Sequence, residues 1–560
     1  MKKKIISALK DATGEKKIHL ELPENEEHGD FATNIAIVKA KKEGKNPSEY
    51  AKELVKKLQE DKTLTQIVSK IEVAGPGFIN FFLSDNYLIS ELGTVIDKKD
   101  KYGSSDIGKG KTAVIEYSSP NIAKHFGVGH LRSTIIGQSL YNLYKFVGYK
   151  TIGDNHLGDW GTQFGMIIAQ VVRKNLDPDK LTVEDYEKLY VEFNKEAKED
   201  EKLMDLAREW FKKLEEGDEK ARNIWQKAKD VSLKEFERIY KLLGVNIDHS
   251  YGESFYEDKM PEVIELAREK GLTKKSEGAE IIELKDMPPL ILLKTDGATT
   301  YQTRDLATAK FRLDEWKPDI IIYEVGADQK LHFKQIFAAV KLLGWGEETD
   351  FVHVAHGLIR FEHGKMSTRR GETVKLEDVL KESIKRAREI IEKSETGRGL
   401  KDEEKEKIVK AVGIGAVKYF DLSHHYSSDI IFDWEKLFVL EGNSAPYLQY
   451  TIARTNSVLA KAKGDRDSKI GAAKFNREEL ILARNLVRFS EITIDAAKNY
   501  SPNLLCNFLF NLAQKYNNFY NQHKIIGGDN EELRILLTTA TGQVLKNGLD
   551  LLGIESPERM

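Results

Sequence analysis

The sequence predicts an α/β protein: a doubly wound parallel sheet at its centre, an N-terminal α+β domain before it and a C-terminal all-α helical bundle after it. Three observations carry this. Short apolar runs at 113–117, 151–153, 291–293, 319–323 and 351–358 alternate with stretches of helical spacing over 130–147, 302–316 and 329–343, and strands separated by helices pair in parallel through right-handed crossovers. Up to about residue 105, charged amphipathic helices alternate with strand-like runs at 71–73 and 78–83 around the turn Gly75-Pro76-Gly77. Beyond about residue 400 the spacing is helical throughout, as in Ile408, Val412 and Val417 and later Leu482, Leu486 and Ile492, and no further strands are expected.

At 560 residues the chain exceeds one core, and at roughly 100–200 residues per domain it should hold three to five units. The expected boundaries are 1–105, 106–400 with a highly charged helical insertion at about 175–285, and 401–560. The absence of internal repeats, Pro- or Ser-rich linkers and low-complexity blocks predicts domains that pack closely.

Composition narrows the function classes. With 87 basic and 90 acidic residues the net charge is -3, so any nucleic-acid binding must come from local clusters. Lys381, Lys385, Arg386 and Arg388 form one such cluster, fit for phosphates or for a solvated helix face. The single cysteine, Cys506, excludes an internal disulfide and a thiolate zinc cluster, and its apolar surroundings suit a core filler in a reducing cytoplasm. The opening Met1-Lys2-Lys3-Lys4-Ile5-Ile6 is basic but lacks an apolar run long enough for a signal peptide or a membrane span, so a soluble cytoplasmic protein is expected. His353 and His356 have no carboxylate at ligand spacing, and no tightly bound structural metal is expected.

The chemistry concentrates in two remote runs. Lys124-His125-Phe126-Gly127-Val128-Gly129-His130 follows the run 113–117 and opens a helix in which Leu131, Ile135, Leu140 and Leu143 recur near helical spacing. Glycines at a strand-to-helix turn admit a ligand close to the backbone, and a helix N-terminus offers free N–H groups and a positive dipole end to phosphate. Nucleotide is the natural guest. Gly364-Lys365-Met366-Ser367-Thr368-Arg369 supplies further cations, and Lys124 and Lys365 are mobile point charges suited to a triphosphate.

These residues carry a family resemblance. Glu116-Tyr117-Ser118-Ser119-Pro120-Asn121-Ile122-Ala123-Lys124, followed by Gly129-His130-Leu131-Arg132-Ser133-Thr134-Ile135-Ile136-Gly137, resembles the signature region of class I arginyl-tRNA synthetases. So do Asn155-His156-Leu157-Gly158-Asp159-Trp160-Gly161, Tyr301-Gln302-Thr303-Arg304-Asp305, Tyr447-Leu448-Gln449-Tyr450 and Pro557-Glu558-Arg559-Met560, in the family's order. The resemblance implies a Rossmann-like catalytic domain that activates L-arginine with ATP, accompanied by Mg2+ as co-substrate. It implies transfer from arginyl-adenylate to the 3' end of tRNA(Arg) for protein synthesis, by a chain expected to act as a monomer. Adenylate formation needs charge stabilisation and alignment at the α-phosphate more than covalent help.

By the same resemblance Lys124, His130, Lys365, Met366, Ser367 and Arg369 are the catalytic candidates, and Gly127, Gly129, His130, Gly158, Asp159 and Lys365 the ATP-binding ones. Tyr301 and Asp305, four apart and on one helix face, are implied to meet the arginine side chain together with Glu253. A carboxylate is the natural answer to a guanidinium. Asn121, Gln329 and Glu116 fall at positions implied to surround the amino-acid end. Phe78 and Asn80 resemble contacts to the tRNA elbow, and Tyr447, Tyr450, Arg454 and Met560 contacts to the anticodon.

Two positions depart from the class pattern. Gly127 stands where the first signature histidine belongs, and His125 or a water is the expected replacement donor. Thr368 stands where a second lysine is usual, and Lys124 is expected to compensate. A same-fold nucleotidyl transferase without an RNA substrate and a non-catalytic RNA-binding relative are the alternatives. The second should have lost Lys124, His130, Lys365 or Asp305, and all four are present.

Overall fold

The computed structural model describes every residue but Glu24, 362–373 and 463–472. Helix α1 (Lys2–Thr13), strand β1 (Phe31–Thr33), helices α2 (Ile35–Glu43) and α3 (Pro47–Glu60) and strands β2 (Val68–Ala74) and β3 (Phe78–Leu83) form an N-terminal α+β unit. Its antiparallel sheet has the order β1-β3-β2. Asn46 caps α3 by accepting from the Ser48 and Glu49 amides, and Pro47 occupies the first turn, where no donor is needed. The β2–β3 turn needs positive φ at Gly75 and Gly77, as its Gly-Pro-Gly composition predicts. Ile5, Leu9, Phe31, Leu58, Ile79 and Phe81 close the core of this unit.

Helix α4 (Asp85–Lys98) leads to β4 (Thr112–Glu116), α5 (Gly129–Phe146), β5 (Lys150–Asp154) and α6 (Thr162–Arg173). The charged insertion follows, with α7 (Val183–Ala197), α8 (Lys202–Glu216), α9 (Glu219–Leu243), α10 (Met260–Glu269), β6 (Thr273–Ser276) and β7 (Ala279–Ile282). Then come β8 (Leu290–Leu293), α11 (Tyr301–Trp316), β9 (Ile320–Gly326), α12 (Lys330–Leu342), β10 (Asp350–His356) and β11 (Ile359–Phe361). The central sheet is all parallel, in the order β10-β9-β4-β5. Ala113, Val114 and Ile115 of β4 are fully buried, as continuous apolar strands covered on both faces must be. The chain leaves β4 toward β5 on one side and returns at β9 on the other, and such a switch point opens a crevice beyond the strands' C-terminal ends.

Two expectations are corrected here. The run 291–293 is a strand, but β8 joins an antiparallel sheet β6-β7-β8, outside the parallel one. Leu290 and Leu292 are buried while Ile291 is exposed; that alternation belongs to a sheet with one solvated face, and the unbroken apolar sequence concealed it. The insertion is therefore not purely helical, since the polar strand β6 gave no apolar signal.

Helices α13 (Leu376–Lys393) and α14 (Asp402–Leu422), strand β12 (Ile430–Phe432), and helices α15 (Ala445–Leu459), α16 (Arg477–Leu486), α17 (Phe489–Lys498), α18 (Pro502–Gln522) and α19 (Glu531–Leu551) complete the chain. Strand β12 overturns the expectation of no strand past 400: it pairs in parallel with β11, and three-residue strands are too short to show a period. Cys506 is buried in the bundle core. At the contact between the N-terminal unit and the bundle, Asp30 accepts from the Leu83 amide at 2.7 Å and pairs with Arg484 at 3.0 Å. Among the described residues no helix is long and apolar enough to cross a membrane.

Candidate active site

The turn between β4 and α5 is strained and held. Ser118, Ser119 and Ala123 all take positive φ, which costs non-glycine residues energy and persists only where the surroundings impose it. Their amides are held by Ser133 Oγ (2.9 Å), Asn155 Oδ1 (3.0 Å) and Ser232 Oγ (2.8 Å). The turn delivers His130 to the first turn of α5. The Gly127 amide donates to His130 Nδ1 at 3.3 Å, so the ring proton sits on Nε2. Burial, reinforced by the nearby charge of Lys124, pushes the His130 pKa down to about 4, which keeps the ring neutral. The Lys124 ammonium lies 4.7 Å from the centre of the Tyr190 ring on α7. A Cβ added to Gly129 would meet nothing within 4 Å, so packing does not demand glycine there, and a ligand can approach.

Both described flanks of the second signature meet this turn. The Val128 amide donates to Val374 O and the Leu376 amide to Phe126 O, each at 3.0 Å. On the other flank, buried Arg132 of α5 donates to Gly357 O at 2.8 Å and Ser428 O at 2.7 Å and pairs with Asp421. Lys365, Met366, Ser367 and Arg369 themselves lie outside the described residues.

A second cluster forms around Asp305. Its carboxylate lies 2.5 Å from His332 Nε2 and 3.8 Å from His156 Nε2. Burial pushes the Asp305 pKa up, but the hydrogen bond from His332, with the charge of Arg304 nearby, outweighs it and leaves the pKa lowered. Tyr301 is largely exposed, its ring centre 5.0 Å from that of His332. Arg304 bridges Glu253 (3.5 Å) and Glu257 (2.9 Å); burial raises the Glu253 pKa, and Arg304 opposes it. One loop after β5 joins these groups. Gly158 forms a parallel bridge with Asn121, His156 faces Asp305, and Leu157 O accepts from the Glu253 amide at 2.9 Å. Exposed Gln329 stands one turn before His332, at the end of β9.

Several candidates fall elsewhere. Glu116 is buried and ion-paired at 2.5 Å with Arg312, which also holds Asp154 at 2.7 Å. Glu116 and Asp154 are register partners at the ends of β4 and β5, so the guanidinium they answer belongs to the protein. Asp159 is fully buried on Lys229 (2.7 Å) and Ser254, turned away from solvent. Gly158 is required by Asn121, whose Oδ1 would lie 1.9 Å from an added Cβ. His125, the expected replacement donor, faces Glu187 (3.3 Å) and Glu184 (3.5 Å) of α7.

The RNA candidates divide. Asn80 is buried in the central strand β3, and Phe78 is half-buried. Tyr447 is a core residue, its hydroxyl accepting from Asn517 at 2.9 Å and its ring against Phe510. Tyr450 is exposed, with the Arg454 guanidinium between its ring and that of Tyr520 at 4.8 and 4.9 Å. The Met560 side chain is buried among Ile391, Val409 and Ala453, so it packs the core where an RNA contact was expected. Lys381, Arg386 and Arg388 pair with Glu377, Glu382 and Glu406, as on a solvated helix face. His353 and His356 bond to Val325 O and Glu324.

His156, His332, Tyr190 and Tyr520 were absent from the expected set. His332 had a visible signal, the i, i+3 spacing from Gln329; the others touch their partners only through the tertiary fold.

Comparison with known proteins finds relatives along nearly the whole chain. Residues 91–434 match the family described as tRNA synthetases class I (R), catalytic domain, residues 448–560 the DALR anticodon binding domain, and residues 1–83 the arginyl tRNA synthetase N terminal domain. An arginine--tRNA ligase of Clostridioides difficile is 41% identical over 97% of this chain and 95% of its own length. One of Fusobacterium nucleatum is 40% identical over 97% and 96%. The solved arginyl-tRNA synthetase of Plasmodium falciparum superposes with a TM-score of 0.85 at 27% identity, over 100% of this chain and 99% of that one. The Thermus thermophilus arginyl-tRNA synthetase, 23% identical, shares the fold with a TM-score of 0.84 over 100% of both chains. The chain therefore belongs to the class I arginyl-tRNA synthetases.

Proposed function

We propose that the arginine--tRNA ligase activity of this family runs here across the switch point between β4 and β9. The carrying observation is the backbone pairing of 126–128 with 374–376, which brings the first signature against the flank of the second. ATP, entering with Mg2+ as the substrate complex, lays its phosphates on the N-terminus of α5. There His130 donates Nε2–H and Lys124 supplies positive charge as the α-phosphate is attacked. Arginine sets its guanidinium against Asp305, with Glu253 and Tyr301 beside it, and its amino-acid end toward Asn121 and Gln329. Its carboxylate attacks the α-phosphate, pyrophosphate leaves, and a hydroxyl at the 3' end of tRNA(Arg) then takes the arginyl group and releases AMP.

The terminal regions would hold the tRNA. Residues 1–105 serve the elbow and 401–560 the anticodon, where the exposed Tyr450–Arg454–Tyr520 stack suits unstacked bases. The family matches at both ends of the chain disfavour a transferase without an RNA substrate. The enzyme works in the cytoplasm as a monomer. A charging assay with total tRNA against each amino acid tests the proposal: arginine alone should be attached, and pyrophosphate exchange into ATP should require arginine and tRNA together. Attachment of another amino acid, or none, would refute it.

A further inference from the structure

We infer that His332 is a positioning residue for arginine recognition: as a neutral imidazole it donates Nε2–H to Asp305 and aims that carboxylate, without adding a charge that competes with the guanidinium. The inference rests on the reading of Asp305 as the guanidinium's partner.

The geometry supplies the argument. His332 comes from α12 and Asp305 from α11, and Nε2 lies 2.5 Å from Oδ2. A carboxylate offers only lone pairs, so the proton in that bond belongs to Nε2. Nδ1 of His332 is buried with no partner, and so is Nδ1 of His156, whose Nε2 faces the other Asp305 oxygen. A neutral Nε2–H tautomer leaves only a lone pair unmatched at Nδ1. An imidazolium would bury an unpaired N–H there, which proteins avoid. The ring is fixed between Tyr301 and Phe333, at 5.0 and 5.3 Å, so its direction is set before arginine arrives. A carboxylate has about four lone-pair sites; one on Oδ2 is used by His332, and the rest remain for a guanidinium.

Charge is the reason for neutrality. Protonated, His332 would neutralise Asp305 and stand as a second cation where a guanidinium must dock. The other ionisable groups around it are Tyr301 and Arg304 on α11, His156 after β5 and Glu253, while Phe333 separates it from His353 of β10.

The test uses the full chain with tRNA, measuring KM for arginine and for ATP by pyrophosphate exchange. His332→Ala should raise KM for arginine about tenfold or more, the loss expected for a hydrogen bond to a charged group, while KM for ATP does not follow. His332→Gln, whose amide nitrogen is a neutral donor that can replace Nε2–H, should restore most of that affinity. An unchanged arginine KM in His332→Ala, or no recovery in His332→Gln, overturns the inference and leaves the ligase reading standing. No arginine-dependent exchange in the wild type overturns both.

Discussion

The amide of Val128 donates to the carbonyl oxygen of Val374 at 3.0 Å, joining positions 246 residues apart at the edge of the turn between β4 and α5. Val128 precedes the first turn of α5 with φ of −57°, an angle proline also takes. Val128→Pro should therefore remove this donor without forcing a new φ at 128. The exchange rate should fall on the order of twofold to tenfold, the worth of one hydrogen bond, and the thermal midpoint should drop as well, because a buried, hydrogen-bonded amide is lost. An unaltered rate would separate this pairing from catalysis.

On the proposed reading, Asp305→Ala leaves an arginine guanidinium without its carboxylate. Breaking one side of a buried charge pair costs roughly 3–5 kcal/mol, so kcat/KM for arginine should fall at least about a hundredfold while ATP still binds. Unchanged arginine-dependent turnover would refute the assignment of this residue.

Glu116→Gln distinguishes support from recognition. Arg312 would lose one of its two buried carboxylates, and because Asp154 remains the cost should be near the low end for a broken buried pair, about 3 kcal/mol. The loss should appear in urea unfolding, with KM for arginine preserved. A large rise in that KM with normal stability would return Glu116 to the recognition site.

His130 predicts a pH-dependent stability. Its pKa is about 4 in the folded chain against an ordinary 6.5. Above 6.5 the ring is neutral in both states and contributes no slope. As the pH falls from 6.5 toward 4, the unfolded chain takes up the proton first, and stability declines across that window. His130→Gln should unfold with a shallower dependence over the same range, followed by urea titration at stepped pH; an identical slope would count against the neutral, buried ring.

Local pattern made much of this protein legible. His130 at a helix start after a glycine turn, Tyr301 and Asp305 four apart on one helix, and the strands around 113–117, 151–153, 319–323 and 351–358 follow from spacing and turn chemistry, which act between near neighbours in the chain. The motif order carried the family, because those runs retain their identities wherever the fold brings them.

Partnership was decided only in three dimensions. Nothing near Glu116 in the chain announces Arg312, nothing near Asp159 announces Lys229, and the burial of Tyr447 beside an exposed Tyr450 depends on where α18 lies against α15. A buried charge must find its counterpart, and sheet order and helix packing choose which one is within reach. The sequence by itself thus determined which chemical groups the chain carries and on which local elements. The tertiary structure decided which of them are spent on one another, as Glu116 is on Arg312 and Asp159 on Lys229.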